Sequence, residues 1–295
     1  MELRLGCWLC RFCGFESGIL GCSWKWKADS YRNELSSKTT PDLNIYGRKF
    51  SGNEKFIEQK KVVNEKSGFF NNQVFVSVNG GTIWRLERFQ SKEILLEYDV
   101  NKEWDQIQLV TDCTGTSGWV AFESLGNIIS YAFIKKSVLT FHGVLMEYEG
   151  KGIIISAPSG TGKTTHARMW RDGKNALIIN GDRASCYKKD GVWTGFGIPW
   201  SGTSGEQINR SVPLTAIVVL ERGTKNKAHC IQGFEAFSLL FPHVQYPNWD
   251  VDMTERAMDL YDDFLESVPV IRLSCTPEME AVDVLYEKLE PLIKS

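Results

Sequence analysis

Residues 152–166 read GIIISAPSGTGKTTH, an apolar run, a glycine-rich loop and then Lys163-Thr164-Thr165 opening a helix. A short apolar run ending in such a loop is a strand buried on both faces, and the helix that follows must return over a sheet. That order commits this part of the chain to an α/β core. It is also how a P-loop reads in sequence. Gly160 and Gly162 let the backbone turn its N–H groups inward around phosphate oxygens, and the new helix adds the positive end of its dipole. Ser159, Gly160, Thr161, Gly162, Lys163, Thr164 and Thr165 form the expected nucleotide-binding stretch. Lys163 reaches the β- and γ-phosphates and the Thr164 hydroxyl ligates Mg²⁺. Ala157 replaces the glycine of the strict pattern at a position that need not approach a phosphate closely. The expected cofactors are ATP and Mg²⁺.

Further candidates flank this stretch. Thr164 to Asp182 covers one helix plus one strand, so Asp182 is expected at the carboxyl end of the strand next to the P-loop. A carboxylate there holds Mg²⁺ or accepts a proton from the attacking group; the alternative is a loop Asp making a turn. Arg183 either pairs with Asp182 or touches a phosphate. His142 precedes the P-loop by one hairpin, which would bring it near the phosphate loop; a purely structural role stays open. Gly197-Ile198-Pro199-Trp200-Ser201-Gly202-Thr203-Ser204-Gly205 suits close backbone approach to a ligand. Its glycines permit that approach and Trp200 offers an apolar face, although an ordinary surface loop anchored by Trp200 explains the composition equally well. Asn209 follows as a polar contact, with Asn226 and Arg256 as weaker candidates. The catalytic set is therefore Asp182, His142 and Lys163; the metal set is Thr164 and Asp182; the substrate loop is Arg183, Pro199, Trp200, Ser201, Gly202 and Asn209.

At 295 residues the chain can bury a substantial core, and its net charge of −2 argues for neither nucleic acid nor a membrane surface. The apolar stretches Ile128–Ile134 and Ala216–Leu220 are too short to span a bilayer. No secretory signal pattern stands at the N-terminus, and a site using ATP points to the cytoplasm. Cys7, Cys10, Cys13 and Cys22 crowd the start of the chain. They either ligate zinc or an iron–sulfur cluster or belong to a poorly ordered extension. Three regions are expected: a Cys-rich extension over 1–42, a smaller β-rich domain over 43–118, and a P-loop kinase domain over 119–295. The hairpin Val74–Val78 and Thr82–Leu86 around Asn79-Gly80-Gly81 marks the β-rich region. Helical apolar spacing marks Phe234–Leu240, Thr254–Leu265 and Glu278–Leu292. Because every recognisable motif lies after Trp119, the extension is expected to be dispensable for phosphotransfer.

Several motifs in order carry a family resemblance: His142-Gly143, the P-loop ending Lys163-Thr164-Thr165-His166, Asp182-Arg183, Gly197-Ile198-Pro199-Trp200-Ser201-Gly202 and Val212-Pro213-Leu214. Together they resemble the HPr kinase/phosphorylase catalytic domain, related in fold to phosphoenolpyruvate carboxykinase. They are most similar to the HPr-kinase-like proteins of lasso-peptide gene clusters. The resemblance implies an HPr kinase/phosphoenolpyruvate carboxykinase-like core and an ATP-dependent transfer to a serine hydroxyl of a ribosomal precursor peptide. Other readings are a kinase acting on another protein or on a small-molecule hydroxyl, and a non-catalytic ATP-binding regulatory module. A homo-oligomer stays open. Where the family carries an acidic pair, this chain has Asp182 alone between Gly181 and Arg183, which leaves the reverse, phosphorylase reaction unsupported.

Overall fold

Residues 2–5, 8–13, 31, 41–49, 58–111 and 116–294 are described in the computed structural model. The chain divides into two compact units, Met1–Lys135 and Lys136–Ser295. The described strands of the first are β1 (Glu2–Leu5), β2 (Trp8–Cys13), β3 (Leu43–Lys49), β4 (Glu58–Ser67), β5 (Phe70–Ser77), β6 (Thr82–Arg88), β7 (Ile94–Val100) and β8 (Gln106–Thr111). They form one sheet of order β1-β2-β3-β8-β7-β6-β5-β4. The β5–β6 turn is where the sequence puts it: Gly80 takes φ 75° and its N–H donates to the Ser77 carbonyl at 3.1 Å.

Two expectations change in this unit. First, β1 and β2 are strands of the sheet, with Cys10 paired to Leu43 and with Leu3, Leu5 and Cys10 fully buried. Those stretches of the extension are therefore folded, and removing them would uncover the β3 edge of this unit's sheet. Cys7 and Cys22 lie outside the described residues, while Cys10 is buried and Cys13 half-buried. Second, the helix α1 (Thr116–Lys135) groups with the first unit, so the boundary falls at Lys135 rather than at 118. Phe122, Leu125, Ile129 and Phe133 line its buried face, each contributing about 2 kcal/mol on leaving water. The Tyr98 hydroxyl on β7 donates to the Ala121 carbonyl at 2.8 Å and ties the helix to the sheet.

The second unit holds β9 (Val138–Tyr148), β10 (Lys151–Ser156), α2 (Lys163–Lys174), β11 (Leu177–Asn180), β12 (Arg183–Lys189), β13 (Val192–Phe196), β14 (Ser211–Arg222), β15 (Lys227–Ile231), α3 (Gly233–Leu240), α4 (Val251–Ser267), β16 (Val270–Cys275) and α5 (Glu280–Ile293). It is an α/β unit, as expected. Its sheet order is β10-β9-β12-β13-β14-β16-β15, and β10 also pairs in parallel with β14. Strands β9, β12, β13, β14 and β10 thus close into a ring. Before the P-loop strand, β9 is turned back by Glu149 and Gly150 at φ 51° and 74°. On one side Trp170 of α2 and Leu285 and Leu289 of α5 pack on Ile153, Val218 and Ile271. Elsewhere Phe264 of α4 meets Phe141 and Trp193, with ring centroids 4.9 and 5.2 Å apart. Among the described residues no helix is long and apolar enough to cross a membrane.

Candidate active site

The strand β10 is buried from Gly152 to Ser156 and delivers the chain into the loop 157–162, after which α2 starts at Lys163. Gly160 and Gly162 take φ 77° and 119°. Nothing lies within 4 Å of where a Cβ would stand on either, so backbone conformation, not crowding, demands glycine there. No side chain caps the helix at Gly162. Its first-turn N–H groups are therefore without the side-chain acceptor that usually satisfies them, and they form an anion site with the dipole behind it. Ser159, Gly160 and Thr165 are exposed, whereas Thr161, Gly162 and Thr164 are half-buried.

Lys163 is buried. Its Nζ donates to the Ala157 carbonyl at 2.9 Å and lies 2.9 Å from His142 Nε2. An ammonium can only donate, so Nε2 accepts and the neutral ring is assigned its proton on Nδ1. That Nδ1 lies 3.6 Å from Asp182 Oδ1. Burial, and then the Lys163 charge, hold the His142 pKa below its usual value, while burial lowers that of Lys163 against the opposing pull of Asp182. The β9–β10 hairpin is what brings His142 here: Ser156 pairs with Gly143, and the Ser156 hydroxyl donates to the His142 carbonyl at 3.0 Å.

Asp182 stands between β11 and β12. The strand before it is not the neighbour of the P-loop strand, as expected from sequence, but pairs with residues 145–147 of β9 along the edge opposite β10. Proximity to the P-loop is achieved through β9, since His142 pairs with Arg183 and the Gly143 N–H donates to the Asp182 carbonyl at 2.9 Å. Arg183 Nη1 lies 3.6 Å from Asp182 Oδ2, which favours the pairing role for that arginine.

Asn180 organises this corner and was not singled out by sequence reasoning. It is fully buried; its Oδ1 accepts the Asp182 and Arg183 N–H groups at 3.0 and 2.8 Å, and its Nδ2 donates to the Ile198 and Trp200 carbonyls at 2.8 and 3.2 Å. The signal was present, because Asn180-Gly181 is a turn dipeptide and an Asn side chain there accepts the backbone N–H two residues on. The consequence for the 197–205 loop is a correction. Pro199, Trp200 and Ser201 are buried, so Trp200 anchors the loop and presents no apolar face. Gly202 is the loop residue that meets the site: a Cβ on it would lie 2.8 Å from Asp182 Cγ. Asn209 is exposed, on the segment that runs back along β11, where the Ile208 N–H donates to the Ile179 carbonyl. Glu206 on the same segment is held by Arg168 and Arg171 of α2 at 3.1 and 3.0 Å.

Two more residues were missed. A single bridge between Phe141 and Val244 brings His243 beside His142; burial, His142 and Lys163 all lower its pKa. Arg222, the last residue of β14, donates from Nη2 to the Gly160 carbonyl and from Nε to the Thr161 carbonyl at 3.4 Å. It forms one wall of a cleft of about 410 Å³ beside the P-loop, with Thr165, His166, Met169 and Thr276 among the others. Asn226 fixes the far wall by accepting the Thr276 N–H at 2.9 Å.

The residues expected to hold Mg²⁺ offer a hydroxyl and a carboxylate, the hard oxygen donors that the ion takes alongside phosphate oxygens. Asp182 is 27% exposed and its His142 and Arg183 neighbours stand beyond hydrogen-bond distance, so its oxygens are available. Among the described residues no group of three His, Cys, Asp or Glu side chains is placed to hold a metal, and two of the extension's four clustered cysteines, Cys7 and Cys22, lie outside them.

Residues 108–258, a little over half of the chain, match the family described as SynChlorMet cassette protein ScmC. No curated protein matches. One solved structure that matches is the Hpr(Ser) kinase/phosphatase from Coxiella burnetii, 9% identical, with 53% of this chain and 99% of that chain covered at a TM-score of 0.32.

Proposed function

The chain belongs to the ScmC family of SynChlorMet cassette proteins, and we propose that its second unit is an ATP-dependent P-loop kinase transferring a γ-phosphoryl group to a hydroxyl. The observation that carries the reading is the convergence of Lys163 Nζ, 2.9 Å from His142, and His142, 3.6 Å from Asp182, at the mouth of an uncapped helix N-terminus. Phosphoryl transfer needs little covalent chemistry from a protein beyond in-line positioning and neutralisation of charge. The loop and first-turn N–H groups receive the phosphate oxygens. Lys163 exchanges the Ala157 carbonyl for the β- and γ-phosphates. Thr164 and Asp182 would hold Mg²⁺, which would supply neutralisation of the phosphate charge. The Asp182 carboxylate takes the proton of the attacking hydroxyl, and the neutral His142 orients it. The 410 Å³ cleft beyond Thr165 receives the nucleoside.

The acceptor in this reading is a serine of a ribosomal precursor peptide, which approaches Asp182 past Gly202. Incubation with ATP, Mg²⁺ and a Ser-terminated precursor should add one phosphoryl mass to the peptide. Lys163→Ala should abolish that gain and lower ATP affinity at least tenfold, since a charge-assisted contact is lost. Unchanged ATP binding in that variant would remove the P-loop assignment. Transfer to water or to a small hydroxyl alone would remove the peptide and leave the kinase.

A further inference from the structure

The last residue of Lys163-Thr164-Thr165-His166 has so far no task. His166 lies in the first turn of α2 and is 2% exposed. Its Nε2 accepts the indole N–H of Trp170 at 3.2 Å. With that lone pair engaged, the proton of the neutral ring is assigned to Nδ1. Nδ1 is buried and finds no hydrogen-bond partner among the described residues. A purely structural histidine would be expected to satisfy both nitrogens, because a buried donor left unmade is costly. His166 is among the residues that line the 410 Å³ cleft, beside Thr165, Met169 and Arg222.

We infer that His166 is a specificity-determining residue, whose Nδ1–H donates to an acceptor atom on the base of the bound nucleotide. This rests on the reading of the P-loop as the site of that nucleotide's phosphates. A neutral imidazole of fixed tautomer is a donor only at Nδ1, so it selects a base edge that presents an acceptor and rejects one that presents an N–H. Trp170 is the positioning residue, because its indole N–H fixes the tautomer. Thr165 is exposed and Met169 half-buried, and on ligand binding these two side chains would have to move aside for Nδ1 to meet the base. The other cleft walls at Leu220, Cys275 and Pro277 give a planar heterocycle an apolar slot.

Two substitutions separate the nitrogens. His166→Asn keeps an N–H close to the Nδ1 position but cannot reach Trp170. His166→Gln reaches Trp170 but leaves the Nδ1 position without a donor. In the full chain, titration calorimetry with MgADP should give near wild-type affinity for the Asn variant. The Gln variant should lose about tenfold, the effect of one buried hydrogen bond. Displacement by Mg²⁺-bound inorganic tripolyphosphate should be unchanged in both. The opposite order, equal affinities, or a parallel loss for tripolyphosphate would overturn the inference while leaving the nucleotide site standing. A folded wild-type protein that binds neither MgADP nor MgATP would overturn both.

Discussion

Acidification tests the environment of His166 directly. Its folded-state pKa is about 4 against an ordinary 6.5, and burial is the cause. A depressed folded pKa means that the unfolded chain binds the proton more readily. The stabilisation is therefore complete above pH 6.5 and is lost as pH falls towards 4. The full linkage amounts to about 3 kcal/mol, of which about 2 kcal/mol is lost between pH 7 and pH 5. The chain has four histidines, so ¹³C–¹H correlation spectra resolve each ring as pH is lowered, and the signal absent from His166→Asn identifies the one of interest. Its midpoint should lie near 4. Urea unfolding should give a second reading: between pH 7 and pH 5 the wild type should lose about 2 kcal/mol more than the Asn variant. A midpoint near 6.5 in the folded protein, or equal losses in the two proteins, would show that the ring is hydrated or that Nδ1 has an acceptor in place.

Asp182→Asn keeps the shape and removes the charge, so turnover should fall about 10²-fold or more while MgATP binding is largely kept; near-normal turnover would move the base to His142 or His243. Gly202→Ala places a methyl 2.8 Å from the Asp182 carboxylate carbon on a residue with φ 55°. Turnover should drop while ATP affinity holds, and destabilisation by about 1 kcal/mol should register in the melting temperature. Asn180→Ala removes four hydrogen bonds at once, three of them buried, and should cost about 3 kcal/mol or more in urea unfolding, with activity lost through misplacement of Asp182.

The parts of this molecule that were legible in the sequence are those fixed by local chemistry. The P-loop strand, its glycines and the helix after Lys163 stand where the pattern put them, as do the β5–β6 turn and the helices at Gly233, Val251 and Glu280. Helix α1 was not legible, because Gly118 and Gly126 interrupt it and Ile128–Ile134 reads as a plain apolar run. The β12–β13 hairpin carried a usable signal in Asp190-Gly191, whose φ values of 49° and 82° are those of a tight reversal. The alternation on either side is broken by Lys188 and Lys189, and the hairpin was passed over. His243 and Arg222 join the site through pairings far apart in the chain, Phe141 with Val244 and β10 with β14. No local pattern announces such a meeting. Trp200 was read as a ligand face because composition records that a residue is aromatic, not which way its loop is closed; the closure is set by Asn180.

The ring of strands has a consequence for how the chain is made. β10 pairs with β9 across a turn of two residues, so one side of the P-loop strand forms as soon as both are synthesised. Its other partner is Leu214–Val219 of β14, and the ring shuts only when β12 and β13 have been laid in between. Pairings between distant segments form slowly, since the chain entropy is lost before the contacts are gained. A nascent chain released before Leu214 thus carries the whole Lys163 motif with one flank of its strand unpaired and without Arg222 against the loop. On the proposed reading, nucleotide binding during synthesis would begin only after the ring has closed, and a stalled chain at that stage exposes the edge of an apolar strand.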